Sequence, residues 1–194
     1  MQVLKSYIGG QWVTGQGKQQ QLVNPTTEEV VATVCADGLD LQGGLDFARS
    51  RGGAALRSMT LGERGALLAA MAKAIHGARA ELLAIASQNG GNTRSDAKFD
   101  VDGASGTLAA YAELAKERAD DQYLVDGEDS QIGLSPRLVG RHVYVPRRGV
   151  ALLINAFNFP AWGFAEKAAC AILAGMPVVC KPATSTAWVA QRII

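Results

Sequence analysis

Ile154-Asn155-Ala156-Phe157-Asn158-Phe159-Pro160, followed further on by Cys180-Lys181-Pro182-Ala183-Thr184, decides how this chain is read. The first stretch closes an apolar run, Gly149-Val150-Ala151-Leu152-Leu153-Ile154, whose near-continuous hydrophobicity predicts a strand covered on both faces. Pro160 fits the first turn of a helix, where its missing N–H costs nothing. Residues 161–174 are Ala-rich and amphipathic, and Gly175 is a good stop. Residues 177–180 then predict a second, parallel strand that ends on Lys181. A strand, a helix and a strand with polar groups at both strand ends is how open α/β sheets present ligands.

Working outward, short β-branched runs such as Val30–Val34 predict a meander of strands at the start of the chain. Helices follow Asp37-Gly38, with a break expected at Gly52-Gly53. Thr60 and Glu63 have the spacing of a capping box, and Leu67, Leu68, Met71 and Ile75 continue from it as one apolar face. His76-Gly77 predicts a pause before Leu82, Leu83 and Ile85, and a further helix is expected over residues 95–116. Asp126-Gly127-Glu128-Asp129 reads as a hairpin tip, and residues 137–147 as an extended strand with a charged face. The division expected is strands and helices over 1–121, an arm over 122–148 and the first βαβ unit over 149–194. One such unit and the start of a second fall short of a stable open sheet, so the sequence reads as the first part of a longer protein.

Composition removes several function classes. With 48% hydrophobic and 19% charged residues and a net charge of +1, nothing draws the chain to nucleic acid or anionic lipid. Cys35, Cys170 and Cys180 are scattered, so a disulfide framework is not expected and a reducing, cytoplasmic compartment is. No C-x-x-C pair accompanies the distant His76 and His142, which argues against zinc. The first ten residues lack the pattern of a signal peptide, and the uncharged run 149–165 carries Asn155, Asn158 and Pro160, unlike a membrane span.

Two residues carry the chemistry. An amide at position 158, beside outward-pointing N–H groups of a helix start, could hold a negative oxygen developing on a carbonyl; the plain alternative is that Asn158 only caps the helix. Lys181, at the carboxyl end of a strand, lies at the ligand edge of the sheet; alone, it would more often be a solvated lysine. Cys170 in mid-helix and Cys180 in mid-strand read as inert buried thiols without a base partner.

Asn158-Phe159-Pro160, the helix after it and Ala174-Gly175-Met176-Pro177-Val178-Val179-Cys180-Lys181-Pro182-Ala183 resemble the aldehyde dehydrogenase superfamily over essentially all 194 residues. The form Asn-Ala-Phe-Asn-Phe-Pro, with Trp162-Gly163 and Glu166-Lys167 after it, is similar to the branch that oxidises CoA-linked semialdehydes in aromatic-compound catabolism. Gly103-Ala104-Ser105-Gly106-Thr107-Leu108 and residues 54–60 resemble that branch too. The resemblance implies an α/β fold, an incomplete Rossmann-type cofactor domain with an N-terminal helical and strand segment and an oligomerisation arm. It implies that Asn158 binds the oxyanion and that Lys167 lines the deep active site, although pairing with Glu166 explains Lys167 equally well. Ile154, Asn155, Ala156, Phe157, Lys181, Pro182, Ala183 and Thr184 are the implied cofactor-binding positions. The family usually has a glutamate where this chain has Thr184. A neutral residue there does not repel a 2′-phosphate, which favours NADP, or dual use, over strict NAD. The nucleophilic cysteine and the glutamate base of the family find no match here, so the segment by itself is expected to be inactive. A homo-oligomer, a small aldehyde substrate, no nucleic acid and no membrane complete the expectation. A nucleotide-binding module without redox activity, or an interaction protein using its helical half, are the rival readings.

Overall fold

A computed structural model describes residues 2–194. Five short strands open the chain: β1 (Gln2–Val3), β2 (Ser6–Ile8), β3 (Gln11–Val13), β4 (Gln20–Val23) and β5 (Val30–Val34). They do not form a simple meander. β5 lies between β1, which it pairs in parallel, and antiparallel β4, while β2 and β3 form a separate hairpin. Leu4, Leu22 and Ala32 bury a small core beneath them, shared with Ala187.

Next come α1 (Leu41–Phe47), a π-helical turn (Ala48–Gly52) and α2 (Gly53–Ser58). The break expected at Gly52-Gly53 is absent, because both glycines keep right-handed helical angles. They serve close approach instead: a Cβ on Gly52 would lie 3.2 Å from Cβ of Pro177.

Three long helices follow, α3 (Leu61–Gly77), α4 (Arg79–Gly90) and α5 (Arg94–Leu114). The capping box of α3 is complete: the Glu63 amide donates to Thr60 Oγ1 at 3.2 Å, and the Thr60 amide donates to Glu63 Oε2 at 2.8 Å. α4 stops at Gly91, which takes the left-handed conformation with φ 68°. Thr93 caps α5. The buried face of α5 is Ala97, Asp100, Val101, Ala104, Leu108 and Ala112, a helical spacing that places one acid among small apolar groups.

After a 3₁₀ turn (Ala115–Arg118) the chain runs out into an antiparallel hairpin, β6 (Leu124–Gln131) and β7 (Val139–Tyr144). The expected tip, Asp126 to Asp129, falls inside β6. Gly127 uses its φ of 72° in a register shift between Asp126 and Ser130, and Asp129 is held across the hairpin by Arg141 at 2.5 and 2.7 Å. The turn lies at residues 132–138, closed by the Ile132 amide, which donates to the Leu138 carbonyl at 3.0 Å.

The last part is β8 (Ala151–Ile154), α6 (Trp162–Leu173), β9 (Val178–Lys181), a 3₁₀ turn (Thr184–Thr186) and α7 (Ala187–Arg192). β8 and β9 are parallel, with Ile154 opposite Lys181. α6 packs on α5 and on one face of these strands through Leu153, Phe164, Ala165, Ala168 and Ala169. The expectation that β8 is covered on both faces is not met among the described residues. Leu153 is buried, but Leu152 and Ile154 on the opposite face are 60% and 69% exposed.

Leu68, Leu82, Val101 and Leu108 are fully buried where α3, α4, α5 and α6 meet. Each contributes about 1.5–3 kcal/mol relative to exposure. Arg64, only 1% exposed, joins them as the largest buried side chain. Its guanidinium donates to the carbonyls of Met59 (2.9 Å), Gln122 (2.8 Å) and Leu173 (2.8 Å), tying the start of α3 to the end of α6 and to the root of the hairpin. Burial lowers its pKa.

Arg64→Met should therefore destabilise the protein by about 2–4 kcal/mol, because three carbonyls lose the donor that Arg64 supplies while part of the cost of burying the charge is recovered. Chemical denaturation of both proteins checks this. A loss below about 0.5 kcal/mol would mean that water or relaxation satisfies those carbonyls equally well.

Candidate functional site

The carboxyl ends of β8 and β9 bring together two groups of residues far apart in sequence. Ile154 pairs with Lys181, and the Asn155 amide donates to the Lys181 carbonyl at 3.1 Å. Ile154, Ala156, Phe157, Asn158 and Lys181 are exposed at this edge; Pro182, Ala183 and Thr184 are half-buried just beyond it. A short parallel pair followed by irregular chain on both strands leaves the side chains after Ile154 and Lys181 free of the ladder. The crevice outside strand carboxyl ends is where such sheets hold ligands.

Asn155 is 8% exposed and faces inward. The amide orientation that satisfies both of its ends has its oxygen accept from the Phe164 amide at 3.2 Å and its nitrogen donate to the Gly163 carbonyl at 3.2 Å. The reversed orientation leaves only a 3.4 Å contact with Cys180 Sγ, so the first is the better assignment. In it, Asn155 ties the strand end to the first turn of α6.

Asn158 is not the helix cap. It lies four residues before α6 begins, exposed, and α6 is capped from another element. Asp100 of α5, 2% exposed, accepts from the Ala161 amide at 3.2 Å and from the Trp162 amide at 2.7 Å. Burial raises the pKa of this carboxyl, against the lowering effect of those two hydrogen bonds. The Gly163 amide is bound to the Phe159 carbonyl at 2.9 Å. The expectation that helix amides stand free beside Asn158 is thereby corrected: each amide from Ala161 to Phe164 has an acceptor within the protein. The Asn158 side chain, in the loop before these amides, is exposed.

Lys167 lies on the outer face of α6, where its ammonium donates to the Gly163 carbonyl at 2.7 Å and pairs with Glu166 at 2.9 Å. This is the surface pairing that sequence allowed as the plain alternative. Its charge nonetheless reaches Cys180. Burial raises the pKa of the Cys180 thiol and Lys167 pulls it the other way.

Cys170 departs from expectation. It is exposed, and its sulfur lies 2.9 Å from the Tyr111 hydroxyl; a hydrogen bond from that hydroxyl to the sulfur, and the negative charge of a thiolate there, raise the Tyr111 pKa. Facing outward on a helix whose other side makes the core, it cannot have the apolar surroundings that neighbouring alanines suggested. It borders a groove of about 480 Å³ with Tyr123, Tyr144 and Pro146, near the opposite end of α6 from Asn158. Cys35 is buried.

Thr184 opens the 3₁₀ turn after β9. Asn89, at the end of α4, holds that turn by donating to the Ser185 carbonyl at 2.8 Å and accepting from the Trp188 amide at 3.3 Å. Asp100 and Asn89 were not picked out from the sequence. The available signal was periodicity, since both are polar residues at core-facing positions of amphipathic helices. No group of three or more metal-ligating side chains occurs among the described residues, and none of their helices is long and apolar enough to cross a membrane.

Comparison with known proteins places the chain in a family. The profile of the aldehyde dehydrogenase family matches residues 12–194. The chain is 47% identical to 3,4-dehydroadipyl-CoA semialdehyde dehydrogenase of Aromatoleum evansii, over 98% of this chain and 37% of that protein. It is 30% identical to D-glyceraldehyde dehydrogenase (NADP(+)) of Thermoplasma acidophilum, again over 98% of this chain and 37% of that protein. Among solved structures, lactaldehyde dehydrogenase of Escherichia coli superposes with a TM-score of 0.83 at 27% identity, over 99% of this chain and 39% of that one. The chain thus spans less than two-fifths of the length of these relatives.

Proposed function

This chain belongs to the aldehyde dehydrogenase family, and we propose that it supplies the oxyanion-binding amide and the adenosine-side grip of an NADP-preferring enzyme. The substrate proposed is an aliphatic, CoA-linked semialdehyde, oxidised to the acid. The observation that carries this reading is the free, exposed Asn158 amide on the same sheet edge as Lys181. Its support on the substrate side is the 47% identity to a CoA-semialdehyde dehydrogenase.

The residues at this edge fit the adenosine half of a nicotinamide cofactor. Lys181 is exposed and pairs with no carboxylate among the described residues, and Thr184 offers a hydroxyl close by in sequence. Lys181 would donate to a ribose hydroxyl or a 2′-phosphate, and Thr184 would add a donor without a repelling charge. The loop Ile154 to Phe157 would border the same ligand. When bound, the cofactor serves as the oxidant that takes the electron pair from the aldehyde carbon.

Asn158 acts at a different moment. Its Nδ2 donates to the carbonyl oxygen as negative charge builds there, so its bond is stronger in the transition state than in the ground state. The thiolate that attacks the carbonyl and the carboxylate that activates water are proposed to come from protein outside these 194 residues. Supporting this, Cys35 is buried, Cys170 is bound to Tyr111 away from Asn158, and burial disfavours the Cys180 thiolate. The segment by itself is accordingly proposed to be inactive. Lys167 would tune the charge of the site without touching substrate. The hairpin β6–β7 is proposed to pair with another subunit, since Ile132, Leu134, Leu138 and Val145 are exposed along an arm with open edges.

In the complete enzyme, Asn158→Ala should lower kcat about a hundredfold, with cofactor affinity within about twofold of wild type. Steady-state kinetics with 3,4-dehydroadipyl-CoA semialdehyde and cofactor binding measured separately check this. An unchanged kcat would remove Asn158 from the chemistry.

Cofactor choice has its own test. Thr184→Glu places like charge beside a 2′-phosphate and gives a ribose hydroxyl an acceptor. The kcat/KM ratio should shift toward NAD by about five- to a hundredfold. A wild type that strongly prefers NAD, or a variant with the ratio untouched, would show that position 184 does not set the preference.

A further inference from the structure

We propose that Asp100 is a positioning residue for the Asn158 amide: by binding the first two amides of α6 it fixes the loop that carries Asn158, and so sets where that donor points. The proposal rests on the oxyanion reading of Asn158 given above.

Asn158 is exposed, and the residues around it are fixed from α5. Immediately downstream, the Ala161 and Trp162 amides each donate to a different oxygen of Asp100. Phe99, the neighbour of Asp100, packs edge-on against Phe159 at 6.1 Å and against Trp162 at 5.1 Å between ring centroids. The Trp162 indole N–H donates to Thr107 Oγ1 at 2.8 Å. Gly103 makes room for that indole, since a Cβ there would lie 2.7 Å from Trp162 Cδ2. One face of α5, from Phe99 to Thr107, thus grips Phe159, Ala161 and Trp162. On the upstream side, Asn155 ties the same loop to Gly163 and Phe164. Asn158 sits between the two anchors and takes its direction from them.

A carboxylate is required at position 100 because two N–H donors converge on it. An acid of this size gives each donor its own oxygen. An amide of the same shape gives one of them an oxygen and turns an NH₂ group toward the other. The loop then has to move, and displacements of about 1 Å can cost as much as a hundredfold in rate when they misplace a catalytic group. Asp100 touches neither substrate nor cofactor in this account; its effect passes through Asn158.

The test is a double-mutant cycle in the complete enzyme, with 3,4-dehydroadipyl-CoA semialdehyde as the probe and rates normalised to folded, cofactor-competent protein. Asp100→Asn should lower kcat about tenfold while the cofactor KM stays within about twofold. In an Asn158→Ala background the same substitution should cost less than about twofold, because the group it positions is already gone. Thr107→Val, which removes the acceptor of the Trp162 indole, should show the same dependence on Asn158 at smaller amplitude. It carries the cycle if Asp100→Asn does not fold. Equal losses in both backgrounds would overturn the proposal, as would a lower melting temperature with kcat unchanged, and either would leave the oxyanion reading standing. An Asn158→Ala enzyme with wild-type kcat would instead sink the oxyanion reading and this proposal with it.

Discussion

α6 is held at both ends by buried charges of the sign its dipole favours. Asp100 accepts from its first amides, and Arg64 donates to the Leu173 carbonyl at its last turn. The two come from different helices, α5 and α3, so the clamp fixes α6 against the whole helical layer. An isolated buried charge would be costly, and neither is isolated: each is surrounded by backbone groups that would otherwise lack partners. Arg64 also reaches the root of the β6–β7 hairpin through the Gln122 carbonyl. The position of β8, β9 and the loop between β8 and α6 follows from this clamp together with the apolar packing of α6 on α5.

That arrangement limits what the site can be. A helix N-terminus is a ready anion site when its amides are free. Here those of Ala161, Trp162, Gly163 and Phe164 are bound within the protein. The side chains that this edge presents to a ligand are Asn158, in the loop after β8, and Lys181, at the end of β9. The division suits an enzyme that must hold two ligands at once, an adenosine moiety near β9 and a reacting carbonyl near the loop. On the proposed reading, selectivity between phosphorylated and plain ribose would fall to Lys181 and to the residue at position 184.

Much of this was legible in the sequence, for local reasons. The Thr60 and Glu63 capping box and the parallel β8–α6–β9 unit depend on neighbours in the chain, and each formed as read. Features set by distant partners were not legible. The Gly52-Gly53 pair reads as a break by propensity, yet the chain stays helical through it and Gly52 packs closely against Pro177, far along the chain. Asp126 to Asp129 has turn composition, but the cross-strand hold of Arg141 on Asp129 keeps it in a strand. Asn158 resembles a cap because Asn caps helices, and only the position of Asp100 on α5 shows that the role is taken. Asp100 itself was visible as an acid on an apolar stripe, without any sign of which amides it would meet.

The central claim is that Asn158, free of the helix cap, is the donor presented to the reacting oxygen. A crystal structure of the complete protein with NADP and an aldehyde-derived covalent adduct tests it most directly. Asn158 Nδ2 is predicted about 3 Å from the adduct oxygen, with Asp100 still bound to the Ala161 and Trp162 amides. An adduct oxygen held instead by those amides, with Asp100 turned away and Asn158 out of hydrogen-bond reach, would contradict the account.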